Sequence, residues 1–172
     1  MTSERADLLE TLRAHRFFLR NTTRDLTDEQ ARQRTTVSEL TLGGLIKHVA
    51  ETEAGWLSFI VDGPSSMLKG GKDWTQWGEQ EWAEREASFQ LLPDETLAGV
   101  LAEYERVAAQ TDALVETIDL DATQPLPDAP WFEPGARRSG RRSLLHIVAE
   151  TAQHAGHADI IRESLDGAQS MA

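Results

Sequence analysis

Cysteine is absent from the 172-residue chain, which removes disulfides, thiolate metal ligands and a cysteine nucleophile together. Any thiol chemistry here needs a thiol brought by a second molecule. Positive charge is also scarce. Seventeen Lys and Arg stand against 29 Asp and Glu, a formal net charge of -12, so the field repels polyanions and nucleic acid is not an expected partner. Apolar runs fall short of the ~18 residues that a membrane span requires, and the amino end, MTSERADLLE, lacks the basic start and apolar stretch of a secretion signal. The chain therefore reads as soluble and cytoplasmic, with no membrane partner. No segment alternates apolar and polar residues as a half-buried strand does, and no internal repeat is visible.

What the chain does have is helical periodicity. Hydrophobic residues make up 40% and charged residues 27%, the balance of a packed globule, and the length suits one domain spanning residues 1–172. Leu8, Leu12, His15 and Leu19 form an amphipathic seam that predicts a helix over about residues 4–24. Thr27 and Gln30 have capping-box spacing, which marks a short helical turn after Leu26. A second long helix is expected over 42–61, capped by Thr41 or Ser38, with Leu45, His48, Thr52, Trp56 and Phe59 on one stripe. A Gly- and Pro-marked loop follows, then a tryptophan-rich acidic stretch with room for a short helix. Leu97, Val100, Leu101, Tyr104, Val107, Thr111, Leu114 and Ile118 predict a third helix over 94–118, opened by Pro93 or Asp94. The segment from Asp119 carries Pro125, Pro127, Pro130 and Pro134 and reads as a long irregular loop. A last helix is expected over 143–166, closed by Gly167. These elements predict an all-α fold, a four-helix bundle around one core.

All five histidines fall in the predicted helices, and three crowd the last one. On a wheel of about 100° per residue, Glu150 lies about 40° from His154 and His157 about 60° to the same side. Ile147, Ala158, Ile161 and Leu165 all lie within about 40° of His154, so the polar group sits in the buried stripe. A carboxylate and imidazoles facing a core are costly to desolvate unless they are paired or bind a cation. Glu150 and His154, one turn apart, can ligate one ion from one helix, and the inward-facing His48 is the best third ligand. Two imidazoles and a carboxylate leave a position open for water or substrate. That donor set suits zinc first, with nickel and ferrous iron as alternatives. His157 is the rival to Glu150 or else orients a ligand; His15 is a further candidate for proton transfer. His146, about 80° from His154, lies at the edge of the stripe and is left out. Glu51 and Glu53, flanking His48, are expected in solvent.

Familiar alternatives are missing. The chain has no HExxH, Walker, GxGxxG or GxSxG motif, and neither His48 nor His154 follows a glutamate by three residues as a di-iron bundle requires. One metal is expected. Arg137, Arg138, Arg141 and Arg142 form a basic knot before the last helix, where cations oppose the helix dipole. Their partner is either an acidic loop of the same chain or an anionic ligand held by guanidinium forks. Trp56 reads as core, whereas Trp74, Trp77 and Trp131 lie on loops as pocket walls or bundle covers.

Two stretches, LGGLIKHVAETEAGWL and SLLHIVAETAQHAGHADIIRESLDG, resemble the DinB-like superfamily, in particular its uncharacterised actinobacterial branch, over nearly the whole chain. The resemblance implies an up-down-down-up bundle that binds one divalent cation through a histidine of the second long helix and a one-turn pair on the fourth. The matching positions are His48, Glu150 and His154. Many members have histidine in place of Glu150, but the mycothiol-dependent maleylpyruvate isomerase of the superfamily is similar in using histidine, glutamate and histidine. Other relatives are S-transferases that use mycothiol or bacillithiol. The implied function is therefore metal-dependent transfer or isomerisation with a low-molecular-weight thiol cosubstrate and a small-molecule substrate, the arginine knot holding an acidic group of either. A metal-dependent hydrolase using activated water, with His157 or His15 moving protons, and a noncatalytic binding module are the other readings. A homodimer is compatible with the sequence.

Overall fold

The structure, a computed structural model, describes residues 2–170. Met1, Met171 and Ala172 lie outside the described residues, so the ends of the expected 1–172 domain do too. Four long helices, α1 (Ser3–Asn21), α3 (Leu42–Asp62), α5 (Leu97–Thr117) and α6 (Gly140–Asp166), surround the core, with short helices α2 (Asp28–Ala31) and α4 (Glu79–Ala87) in the connections. The all-α bundle read from the periodicity is the fold. Thr2, Thr41, Thr96 and Ser139 each accept a first-turn backbone N–H, which supplies the partner that orphan helix-start donors need. Gly167 closes α6 in the left-handed conformation, as glycine there permits.

Two layers of the core fix the topology. At one end Leu8, Leu9 and Leu12 of α1 meet Trp56 and Phe59 of α3, Val115 of α5, and Leu144 and Ile147 of α6. At the other end Leu19 meets Leu42, Leu45, Ile46 and Val49, Tyr104, and Ala155, Ala158 and Ile161. The start of α1 thus lies beside the ends of α3 and α5 and the start of α6, an up-down-down-up order. Each parallel or antiparallel neighbour buries its stripe against two others, so no helix is stable alone.

Several expectations need correction. The first helix ends at Asn21 rather than near residue 24. The third long helix starts at Leu97 rather than Asp94, because Thr96 caps it while Glu95 is drawn off to Lys47. The proline-rich connection is not wholly irregular: β1 (Thr123–Pro125) pairs antiparallel with β2 (Arg137–Ser139). Pro125 sits in this ladder at its terminal pair, an edge position that a residue without N–H tolerates. The ladder runs directly into α6, whose first turn therefore begins at Gly140, three residues before the expected start, with Ser139 as cap.

Glu51 is exposed, but Glu53 is not solvated. It is 1% exposed and paired with Arg16, itself 4% exposed, through two guanidinium bonds. Arg16 also reaches Asp112 at 2.7 Å, tying α1, α3 and α5 together. A buried carboxylate is tolerated here because a bidentate guanidinium covers both oxygens. Removing one partner leaves an uncompensated buried charge, so Glu53→Ala is expected to lower unfolding free energy by about 3–5 kcal/mol in denaturant titrations. A loss no larger than that of an exposed glutamate would show that Glu53 is solvated.

Candidate metal centre

Helices α3 and α6 run antiparallel, and one seam between them carries the polar groups. His48 and Trp56 stand two turns apart on α3; His154, Glu150 and His146 stand at one-turn steps on α6. The ring of His48 meets that of His154 at 5.0 Å between centroids and 86° between planes. At the other end of the seam Trp56 meets His146 at 4.8 Å and 75°. Between them Glu150 places one oxygen 3.5 Å from His154 Nε2 and the other 3.6 Å from His146 Nε2. One ligand atom from each of His48, Glu150 and His154 lies within 4.8 Å of the others. The sequence-derived ligand set is therefore brought together.

His48 is 6% exposed, and its Nδ1 is buried with no hydrogen-bond partner among the described residues. Burial, with the His154 and Arg85 charges adding to it, pushes this imidazole down to about 4. Burial likewise lowers His154, against an upward pull from Glu150 and with His157 adding to the depression. Both rings are neutral near pH 7 and keep a lone pair to donate, the form a metal ligand must have. A buried orphan nitrogen, a second neutral imidazole and a carboxylate at ligand spacing fit a divalent cation.

The covering of His48 comes from the tryptophan-rich connection, where the residue pattern left room for a short helix but pointed to no partner of His48. Phe89, just after α4, stacks on the imidazole at 4.2 Å and 24°, and Arg85 lies over the Phe89 ring at 4.7 Å. Gly44, one turn before His48, makes this possible. A Cβ there would overlap the Phe89 carbonyl oxygen and lie 2.7 Å from its carbon, so only glycine lets the connection approach. Lys47 then anchors the same segment through Glu95 at 2.7 Å and the carbonyls of Ala87 and Gln90, while Arg32 binds the carbonyls of Leu91 and Leu92. The Gly43-Gly44 pair at a helix start was the available sign of a close backbone approach.

His157 lies beside His154, Nδ1 to Nδ1 at 3.4 Å. His146, set aside on the wheel, contacts both Glu150 and Trp56; its four-residue step from Glu150 was the missed signal. His15, half-buried on α1, joins none of these ring or ligand contacts among the described residues. The arginine knot divides. Arg141 pairs with Glu4 and Asp121, and Arg137 bonds the hydroxyl and carbonyl of Thr123, so both take partners in the chain itself. Arg142 is exposed, and Arg138 lies over Trp56 at 4.4 Å. Trp74 packs on Trp131 at 5.5 Å, and Trp77 on Trp82 at 5.0 Å. A surface groove of about 1010 Å³ runs between α1 and α5 and contains none of the candidate ligands; one of about 620 Å³, lined by Trp77, Trp82, Arg85 and Phe89, borders the ring that covers His48.

The family described as Mycothiol-S-transferase matches residues 7–167, nearly the whole chain. No curated protein and no solved structure matches. The chain belongs to the Mycothiol-S-transferase family, within the DinB-like group.

Two outcomes follow from the geometry. In chelator-treated protein, folded His48 takes up a proton less readily than unfolded His48. Its contribution to stability is thus complete above the ordinary 6.5 and is lost as pH falls toward about 4, and His154 acts in the same sense. The denaturation midpoint is expected to drop across that window, and to drop less in His48→Gln; equal slopes would contradict the burial. Phe89→Ala, which frees the imidazole without removing a ligand, is expected to weaken cation binding ~10- to 100-fold, as loss of a supporting contact does. Unchanged affinity in a metal titration would dismiss that support.

Proposed function

We propose that this family member, acting as one domain, is a metal-dependent transferase or isomerase that uses a low-molecular-weight thiol, mycothiol by the family's description, through one divalent cation on His48, Glu150 and His154. The carrying observation is the buried, unpartnered Nδ1 of His48 beside a carboxylate and a second neutral imidazole. Zinc suits this donor set best; nickel and ferrous iron accept it. When bound, such a cation supplies Lewis acidity that favours the deprotonated, nucleophilic form of a coordinated thiol.

The chain's own residues do the rest. Phe89 holds the His48 ring in its plane, and His157 buttresses His154, so the donors are ordered before a substrate arrives; that preorganisation limits the entropy lost on binding. Three protein donors leave room in the coordination sphere. Because the chain has no cysteine, the thiol enters as cosubstrate and leaves as part of a product or is regenerated.

The test is thiol consumption by protein reloaded with zinc, nickel or iron, using mycothiol, bacillithiol and glutathione against a panel of electrophiles. Loss of thiol is expected only with metal and electrophile both present, and is expected to vanish together with bound metal in His48→Ala and His154→Ala. Turnover without thiol would replace this reading by a hydrolase, and inactivity in every combination by a binding module. If Glu150→Ala retained the metal while His157→Ala lost it, the carboxylate assignment would be wrong.

A further inference from the structure

The seam that carries the ligand set ends on a cation with no counter-charge. Arg138, on β2, places its guanidinium 4.4 Å from the Trp56 ring and 5.5 Å from that of Phe132. Its NH1 is buried without a hydrogen-bond partner, and it forms no ion pair among the described residues. In a chain of net charge -12 an acidic partner is easily found, as Arg141 and Arg16 show. Flanking aromatic rings satisfy the faces of a guanidinium but not its in-plane N–H groups. Arg138 is half-buried, and leaving its one buried nitrogen unpaired is costly unless an acceptor arrives. Burial, with Arg142 adding to it, lowers the Arg138 pKa, yet an arginine stays protonated at any ordinary pH.

Position ties this cation to the ligand set. Trp56 lies beneath Arg138 and against His146, whose Nε2 is 3.6 Å from Glu150. Along α3, Trp56 stands eight residues from His48, a rise of about 12 Å, the length of a small organic molecule.

We propose that Arg138 is the carboxylate anchor of the site: the reacting molecule carries a carboxylate that takes the in-plane N–H groups of Arg138 while its other end reaches His48, Glu150 and His154. This rests on the proposed function for the identity of that far end, but not for the anchor. A carboxylate, planar with two oxygens, matches the guanidinium fork. Mycothiol has no carboxylate, so with that thiol the anchor belongs to the electrophile; only a different, carboxylate-bearing thiol would bring it from the thiol side. Arg137 and Arg141, already bonded within the fold, take no part.

Calorimetric titration of benzoate and succinate, with benzamide and succinamide as controls, tests the anchor directly. Parent protein, metal-loaded or chelator-treated, is expected to bind the acids and not the amides. Arg138→Gln is expected to lose at least ~10-fold in affinity, the scale of a charge-assisted pair, with an unchanged melting profile and metal content. Arg138→Lys is expected to recover part of it, since a point charge lacks the fork. No acid binding by the parent, equal binding by Arg138→Gln, or binding present only with metal would overturn the anchor. Metal uptake would still stand in the first two cases, which separates this failure from failure of the metal reading.

Kinetics then locate the carboxylate. With mycothiol held constant, Arg138→Gln is expected to raise KM for an acid-bearing electrophile ~10-fold or more and leave that of its methyl ester unchanged, if the electrophile carries the anchor. If the thiol does, the KM for a carboxylate-bearing thiol such as glutathione rises instead, whichever electrophile is used. Equal changes for acid and ester with both thiols would overturn the proposal.

Discussion

A buried imidazole nitrogen without a partner is a standing cost to a folded chain, and the seam between α3 and α6 is organised around one. His48 is held out of water, with Phe89 against its ring and His154 across from it. Apolar packing explains neither choice, because a leucine would fill the stripe at lower cost. Bringing Glu150 into the same seam adds a charge that also has to be compensated. In the proposed reading a divalent cation would satisfy the nitrogen and the carboxylate at once, so the three candidate donors make physical sense as a unit and little sense residue by residue.

The bundle's topology supplies the geometry. Because α3 and α6 are antiparallel, the steps of four residues along each helix bring His48 to His154 and Trp56 to His146, with Glu150 between. The buried Arg16–Glu53 pair lies on another face of α3 and joins it to α1 and α5. One helix thus presents a structural ion pair to one side and a candidate metal ligand to another. The first turn of α3 contributes as well: two glycines admit the connection that lays Phe89 on His48.

Much of this was legible in the residue pattern. Four apolar stripes defined the bundle, since burial imposes the 3.6-residue period directly on the sequence. His48, Glu150 and His154 stood out because polar residues on an apolar stripe contradict that period. The Arg16–Glu53 pair was not legible, because its partners lie on different helices and a single glutamate beside His48 resembles a solvated one. Phe89 was hidden for a related reason: its role depends on a nonlocal backbone approach, and only Gly43-Gly44 hinted at it. The β1–β2 ladder escaped because two three-residue strands are too short to show alternation. The arginine knot looked uniform in sequence, yet three-dimensional pairing separates Arg141, satisfied by Glu4 and Asp121, from Arg138, whose buried NH1 has no hydrogen-bond partner among the described residues.

X-ray absorption spectroscopy of zinc-loaded protein, with and without mycothiol, bears most directly on the central claim that these side chains hold one cation with a position open to a thiol. The account predicts two imidazoles and one carboxylate in a nitrogen and oxygen shell at about 2.0–2.2 Å, and one added sulfur at about 2.3 Å when the thiol is present. His48→Ala is expected to remove one imidazole from that shell. A shell that keeps both imidazoles in His48→Ala, or that gains no sulfur at saturating thiol, would contradict it.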